Sequence, residues 1–265
     1  MPDSMALLTA ALLAVFLGSV LSGMIGFGFA LIAVPLLTLV LSPQTAVPMV
    51  RLQSLLTSAM VGLSARRWLD VRRMWLLIVA SLVGLPLGAY LLTVWDVNTL
   101  KVFIGAVTVL SAASMLLGVE LQIGDGPLVR APVGFLSGVL GGSTGMAGPP
   151  VVIFFSGQGV EKQTFRANLA LLFVVQNVFS IPLYMAGGIM TRSVIVYTIV
   201  LLPALLIGAP LGIKLSQRVD EIVVRKIALL AIMATGLVAV VSGPHLVWLG
   251  AHRRDAEDAE DQMIV

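Results

Sequence analysis

Residues 21–28 read Leu-Ser-Gly-Met-Ile-Gly-Phe-Gly, and residues 136–150 read Leu-Ser-Gly-Val-Leu-Gly-Gly-Ser-Thr-Gly-Met-Ala-Gly-Pro-Pro. Each lies inside a charge-free apolar run, 4–50 and 131–160, that is too long for one helix. Glycine lacks the Cβ that confines other residues to right-handed backbone, so a glycine cluster in mid-run predicts that each run folds back on itself as a broken hairpin.

Shifting the chain by about 115 residues superimposes the two stretches. Leu21-Ser22-Gly23 meets Leu136-Ser137-Gly138, Gly26 meets Gly141, Pro35 meets Pro150 and Arg51 meets Arg166. With a shift of about 124, Gly84-Leu85-Pro86-Leu87-Gly88 meets Gly208-Ala209-Pro210-Leu211-Gly212, Asp96 meets Asp220 and Lys101 meets Arg225. Such order over nearly the whole chain predicts an internal duplication. The first repeat takes residues 1–118, a linker 119–127, the second repeat 128–247 and a polar tail 248–265.

Each repeat reads as a hairpin followed by three helices. The expected segments are 5–41, 45–64, 74–93 and 99–117 in the first, and 128–156, 163–185, 193–215 and 222–241 in the second. The fold class expected is an all-α polytopic membrane protein. The arms of the second hairpin are expected at about 10 to 13 residues, roughly 15 to 20 Å of helix, short of a hydrocarbon core of about 30 Å, so that hairpin is expected to be re-entrant.

Composition agrees with a membrane protein. Of 265 residues, 58% are hydrophobic and 11% charged, against about a quarter charged in soluble domains. The net charge of +3 sits in short loops, where it orients helices in a bilayer, so nucleic acid is excluded as a partner. The apolar run at 6–20 lacks the basic n-region of a secretory signal, the first cation being Arg51, and is read as a mature membrane helix. The chain has no cysteine, hence no thiolate metal site and no thiol nucleophile.

Loop charge distinguishes parallel from inverted repeats. In the first repeat the cations lie between the second and third segments (Arg66, Arg67, Arg72, Arg73), whereas the matching loop of the second holds only Arg192. The second repeat is basic one loop later (Lys214, Arg218, Arg225, Lys226). Placing both basic loops in the cytoplasm predicts inverted halves, a cytoplasmic linker and both termini outside, although Arg253 and Arg254 in the tail fit this less well.

Inverted repeats with broken helices at mid-membrane are the architecture of secondary transporters, which bind substrate where the broken segments meet. The candidate binding residues are therefore Gly23, Gly26, Phe27 and Gly28 in the first half, with Gly141, Gly142, Ser143, Thr144 and Gly145 in the second. Backbone N–H groups at half-helix N-termini favour an anion, and the two hydroxyls add donors. The competing reading is that these glycines only allow close helix packing, the role also expected of Gly84, Pro86, Gly88, Gly208, Pro210 and Gly212. Arg51 and Arg166 occupy matching positions within spans, where a guanidinium needs protein, water or an anion beside it, unless it snorkels to the nearer interface. Gln53 and Asn168, with Ser54, Gln176 and Asn177, add hydrogen-bonding groups on the same helices.

The motifs SGMIGFGFALIAVPLL at 22–37 and GGSTGMAGPPVVIFF at 141–155, with the two G-x-P-x-G blocks, resemble the sulfite exporter TauE/SafE family of membrane permeases over nearly the whole chain. The resemblance implies a permease for small sulfur-containing anions, such as sulfite or organosulfonates, in a bacterial inner membrane, with export the expected direction. Its partners are then the small anion and the lipid bilayer, with a homo-oligomer allowed.

No cofactor and no metal is expected. No nucleotide-binding G-x-x-x-x-G-K-[ST] loop occurs, and the carboxylates fall in loops, at helix ends or in the tail, which argues against a buried carboxylate proton relay. The chain is not read as an enzyme. An intramembrane protease using Ser22 or Ser137 with a histidine is disfavoured because Leu-Ser-Gly recurs in both halves while His245 has no counterpart in the first. An anion channel of the same architecture, or a carrier of another small organic anion, remains the alternative.

Overall fold

A computed structural model describes residues 2–118 and 126–216, with Gly124 and Met233. The expected helix at 222–241 apart from Met233, most of the linker and the tail fall outside the described residues.

The described residues are helical: α1 (Pro2–Ile25), α2 (Phe29–Thr38), α3 (Pro43–Ala65), α4 (Val71–Val94), α5 (Val97–Leu116), α6 (Pro127–Thr144), α7 (Gly148–Ser156), α8 (Lys162–Ala186) and α9 (Arg192–Leu215). A 3₁₀ turn, Arg66–Trp68, joins α3 to α4. Six of these helices are long and apolar enough to cross a membrane, and the protein is a polytopic membrane protein.

Boundaries follow local chemistry. Asp70 caps α4 by accepting the Arg73 N–H (3.0 Å), and Asp96 caps α5 by accepting the Asn98 and Thr99 N–H groups (both 3.0 Å). Proline opens α3 and α6 at the first helical position, where its missing N–H costs nothing. The first hairpin turns at Gly28, held at φ 101°, and the second at Gly145, at φ 77°; both values suit glycine rather than an L side chain.

The second hairpin differs from expectation. Its first arm, α6, has 18 residues, about 27 Å of helix, and its second, α7, has 9. The helix continues through Gly138, Gly141 and Gly142 because these glycines do not break it. Gly134, Gly138 and Gly142, spaced by four, face α4, where a Cβ on Gly134 would lie 2.5 Å from the Leu77 carbonyl oxygen and one on Gly138 or Gly142 would meet the backbone of Ser81 or Leu85. Gly84 and Gly88 answer from α4, so the two backbones approach without side chains between them.

The same device recurs between α1 and α9, where Gly23 faces Gly212 and a Cβ on Gly23 would fall 2.5 Å from the Ala209 carbonyl oxygen. Third segments thus pack on the first hairpin arm of the other half, α4 on α6 and α9 on α1. Between them α3 packs on α8. Arg51 reaches Asn177 and Gly62 lies against Ala170, so these two helices run antiparallel.

Candidate functional site

The turns of the two hairpins meet beside α3. Residues 27–31 of the first and Gly145, Met146, Ala147 and Gly148 of the second enclose a small cavity of ≈ 20 Å³, completed by Ser22, Arg51, Ser54, Ser58, Phe173 and Asn177. A volume of about 10 to 15 Å³ on this measure holds one water, so the cavity in this state takes a water or two and must widen for a larger solute.

Arg51 is the charge in that cavity. It is 2% exposed, with Nε donating to the Gly141 carbonyl oxygen (3.1 Å) and Nη1 to Asn177 Oδ1 (2.7 Å). Both partners are neutral, and Nη2 is buried with no hydrogen-bond partner. Asn177 is fixed in turn by donating from Nδ2 to Ser54 Oγ (3.1 Å). An ionised group held in a dry interior without counter-charge is costly, and neither hydrogen-bond partner of Arg51 supplies one.

Helix ends reinforce the sign. Gly28, the N-cap of α2, has no side chain, and Phe29, Ala30 and Leu31 precede the first intrahelical donor, Ile32, so their N–H groups have no acceptor within the helix. All three residues line the cavity. α7 opens Gly148-Pro149-Pro150, and the prolines leave it with fewer N–H groups to offer. The N-termini of both half-helices border the cavity and bring the positive ends of their dipoles to it.

The opposite helix ends are satisfied by the protein. Gly141 oxygen takes Arg51, Gly142 oxygen takes the Tyr184 hydroxyl (2.8 Å), and Gly23 oxygen takes Arg166 Nη2 (2.7 Å). Cations and donors at helix C-termini answer the negative dipole ends.

Of the residues expected in the site, Phe27, Gly28, Arg51 and Gly145 line the cavity. Gly141 lies against Arg51, where a Cβ would fall 2.5 Å from Nη2 and 2.6 Å from Gln176 Oε1. The hydroxyls of Ser143 and Thr144 donate to Val139 and Leu140 carbonyl oxygens within α6 (2.8 and 2.7 Å), and Gly142 packs on α4. Gln53 Nε2 reaches the Thr198 carbonyl oxygen (3.5 Å), and Asn168 Oδ1 accepts the Asp70 N–H (3.0 Å). Arg166 also donates to Ser216 Oγ (3.2 Å), and its side chain fills the space beside Gly26. Ser58, which also lines the cavity, is not among the expected residues, yet it follows from spacing, since residues 51, 54 and 58 share one helical face.

Ser137 is committed elsewhere: its hydroxyl donates to the Ala147 carbonyl oxygen (2.6 Å) and accepts from Gln176 Nε2 (3.1 Å). Both histidines lie outside the described residues. Among the described residues no cluster of three or more His, Cys, Asp or Glu side chains is placed to hold a metal.

A family profile described as "Sulfite exporter TauE/SafE" matches residues 11–239. The chain belongs to the sulfite exporter TauE/SafE family. No curated protein and no solved structure gives a match. The TauE/SafE match runs through both hairpins and both seams, so the cavity and Arg51 fall within the part of the chain that defines the family. TauE/SafE proteins are membrane transporters, which accords with a buried cationic cavity at the meeting point of two broken helices.

Proposed function

We propose that this protein is a secondary carrier that moves small sulfur-containing oxyanions, sulfite or organosulfonates, outward across the bacterial inner membrane, with the anion held at Arg51 between the α2 and α7 N-termini. One observation carries the reading: a buried guanidinium with neutral partners and one unpartnered nitrogen lines a cavity that two half-helix N-termini also border. A planar guanidinium grips two oxygens of a sulfite or sulfonate group at once, and the free N–H groups of Phe29 to Leu31 add neutral donors.

The halves are read as an inverted repeat. Equivalent helices related by an axis along the membrane normal run parallel, whereas α3 and α8, which hold the equivalent residues Arg51 and Arg166, run antiparallel. The exchanged packing of α4 on α6 and α9 on α1 supports the same reading. With the Arg66 to Arg73 loop in the cytoplasm, transport is a rocking of the two hairpins about the fixed cavity, which the present small volume represents in a closed state.

The test is anion-dependent thermal stabilisation of the purified protein, followed by flux in liposomes. Sulfite or an organosulfonate should stabilise the native chain, and Arg51→Ala should weaken binding about tenfold to a hundredfold, the loss of about 1.5 to 3 kcal/mol expected of a charge-assisted contact. Arg51→Lys should recover part of it, since it keeps the charge and loses the fork. Saturable flux with counter-anion exchange would separate a carrier from a channel. Normal transport by Arg51→Ala would end the reading.

A further inference from the structure

The end of the molecule where α3 passes into α4 carries guanidinium groups that the central cavity does not use. Asp70, Arg72, Arg73, Trp75 and Arg130 line an open pocket of ≈ 480 Å³. Its lining holds three guanidiniums against one carboxylate, and that carboxylate is turned into the α4 N-terminus as its cap. Arg130 Nη1 donates to the Arg73 carbonyl oxygen (3.4 Å), and Arg73 Nη2 donates to Gln158 Oε1.

Arg73 also ties this pocket to the interior. Its guanidinium lies 5.5 Å from the centre of the Phe155 ring. Phe155 meets Phe165 edge-on at 6.3 Å, and Phe165 meets Phe27 edge-on at 6.0 Å. Phe27 lines the Arg51 cavity. A cation and three rings in series thus run from the basic pocket to the central cavity, which the last ring, Phe27, lines.

We propose that the basic pocket is a second anion site, a loading vestibule in which a small oxyanion binds to Arg72, Arg73 and Arg130 before passing the Phe155–Phe165–Phe27 column to Arg51. The proposal rests on the assignment of the Arg51 cavity as the transport site. Clustered guanidiniums raise the local anion concentration and hold an oxyanion by paired hydrogen bonds. An oxyanion on Arg73 competes with the Phe155 ring for the same cation, so loading withdraws the contact that steadies the column. A phospholipid phosphate shares this chemistry, and the assignment here is to the free solute anion.

The experiment measures sulfite flux in right-side-out and everted membrane vesicles, with the exposed face identified by labelling an Arg67→Cys variant. Arg72→Gln combined with Arg130→Gln should raise KM about tenfold when sulfite is offered to the face bearing the Arg67 loop, and leave KM at the opposite face unchanged. It should also flatten the fall of flux with ionic strength at the loop face. Lysine at both positions should restore most of the lost affinity. An unchanged KM at the loop face, or an equal rise at both faces, would overturn the vestibule. So would anion stabilisation in detergent that the double variant loses only when anionic phospholipid is present, because the pocket would then hold a lipid phosphate. Arg51→Ala run in parallel separates the two assignments: if it abolishes flux while the double variant behaves as the native chain, the vestibule alone fails, and if it transports normally the central site fails.

Discussion

Arg51 Nε donates to the Gly141 carbonyl oxygen at 3.1 Å, joining two residues ninety positions apart, and places its Nη2 where a side chain on Gly141 would stand. One arginine therefore binds the last turn of the first arm of the opposite hairpin and supplies the charge of the cavity. The absent Cβ is what permits both.

Gly141→Ala tests that dependence. A methyl group would come within 2.5 Å of Arg51 Nη2 and 2.6 Å of Gln176 Oε1, the far ends of two long side chains, and 3.1 Å from the Ala147 Cβ, which would have to give by a few tenths of an ångström. The variant should insert and fold, while its affinity for sulfite falls about tenfold, or about 1.4 kcal/mol. Thermal-shift titration checks this, and unchanged affinity would show that the guanidinium position is not critical.

Gly138→Ala should behave differently. Its Cβ would meet the Ser81 carbonyl on α4, and backbone cannot yield as a side chain can. Overpacking of this kind typically costs about 1 to 3 kcal/mol, so the variant should lose thermal stability in detergent with sulfite affinity per folded molecule preserved. Native-like stability would mean that the α4–α6 seam is looser than its geometry requires.

The contrast between these glycines marks what was legible in the sequence. The hairpins and the placing of Phe27, Gly28, Arg51 and Gly145 at the turns or beside them follow from pattern alone. The length of α6 does not. A glycine that turns the chain and a glycine that admits another backbone are the same letter, and only the partner helix, more than fifty residues away, separates Gly145 from Gly138. The roles of Ser143 and Thr144 were hidden for a related reason: within a helix a hydroxyl satisfies itself on the preceding turn, and both do so.

Antiparallel α3 and α8 carry a topological consequence. The loop between α3 and α4 and the loop between α8 and α9 lie at opposite ends of the bundle, because Asp70 at the first meets Asn168 near the start of α8. Native cysteine is absent, so single cysteines report cleanly. Arg67→Cys should react with an impermeant thiol reagent only after cells are opened, and Arg192→Cys should react in intact cells; both residues are exposed. Reaction of both from one side would refute the inverted arrangement.

Arg166 stands in the second repeat where Arg51 stands in the first, yet its surroundings differ. Nη2 donates to the Gly23 carbonyl oxygen at 2.7 Å and Nη1 to Ser216 Oγ at 3.2 Å, so it ties α8 to the end of α1 and to the residue that follows α9. It is 3% exposed and is absent from the lining of the cavity. Removing it strands the Gly23 carbonyl and opens space beside Gly26, a loss of about 1.5 to 3 kcal/mol for a hydrogen bond from a charged group. Arg166→Ala should therefore lower thermal stability at least as much as Arg51→Ala, while the Kd for sulfite of the folded fraction stays within about threefold of native, a shift of about 0.7 kcal/mol. Titrating sulfite against both variants at a temperature where each remains folded makes the comparison. If Arg166→Ala lost affinity as steeply as Arg51→Ala, the anion would have to visit both arginines, and the binding path would extend from the cavity to the α1 terminus.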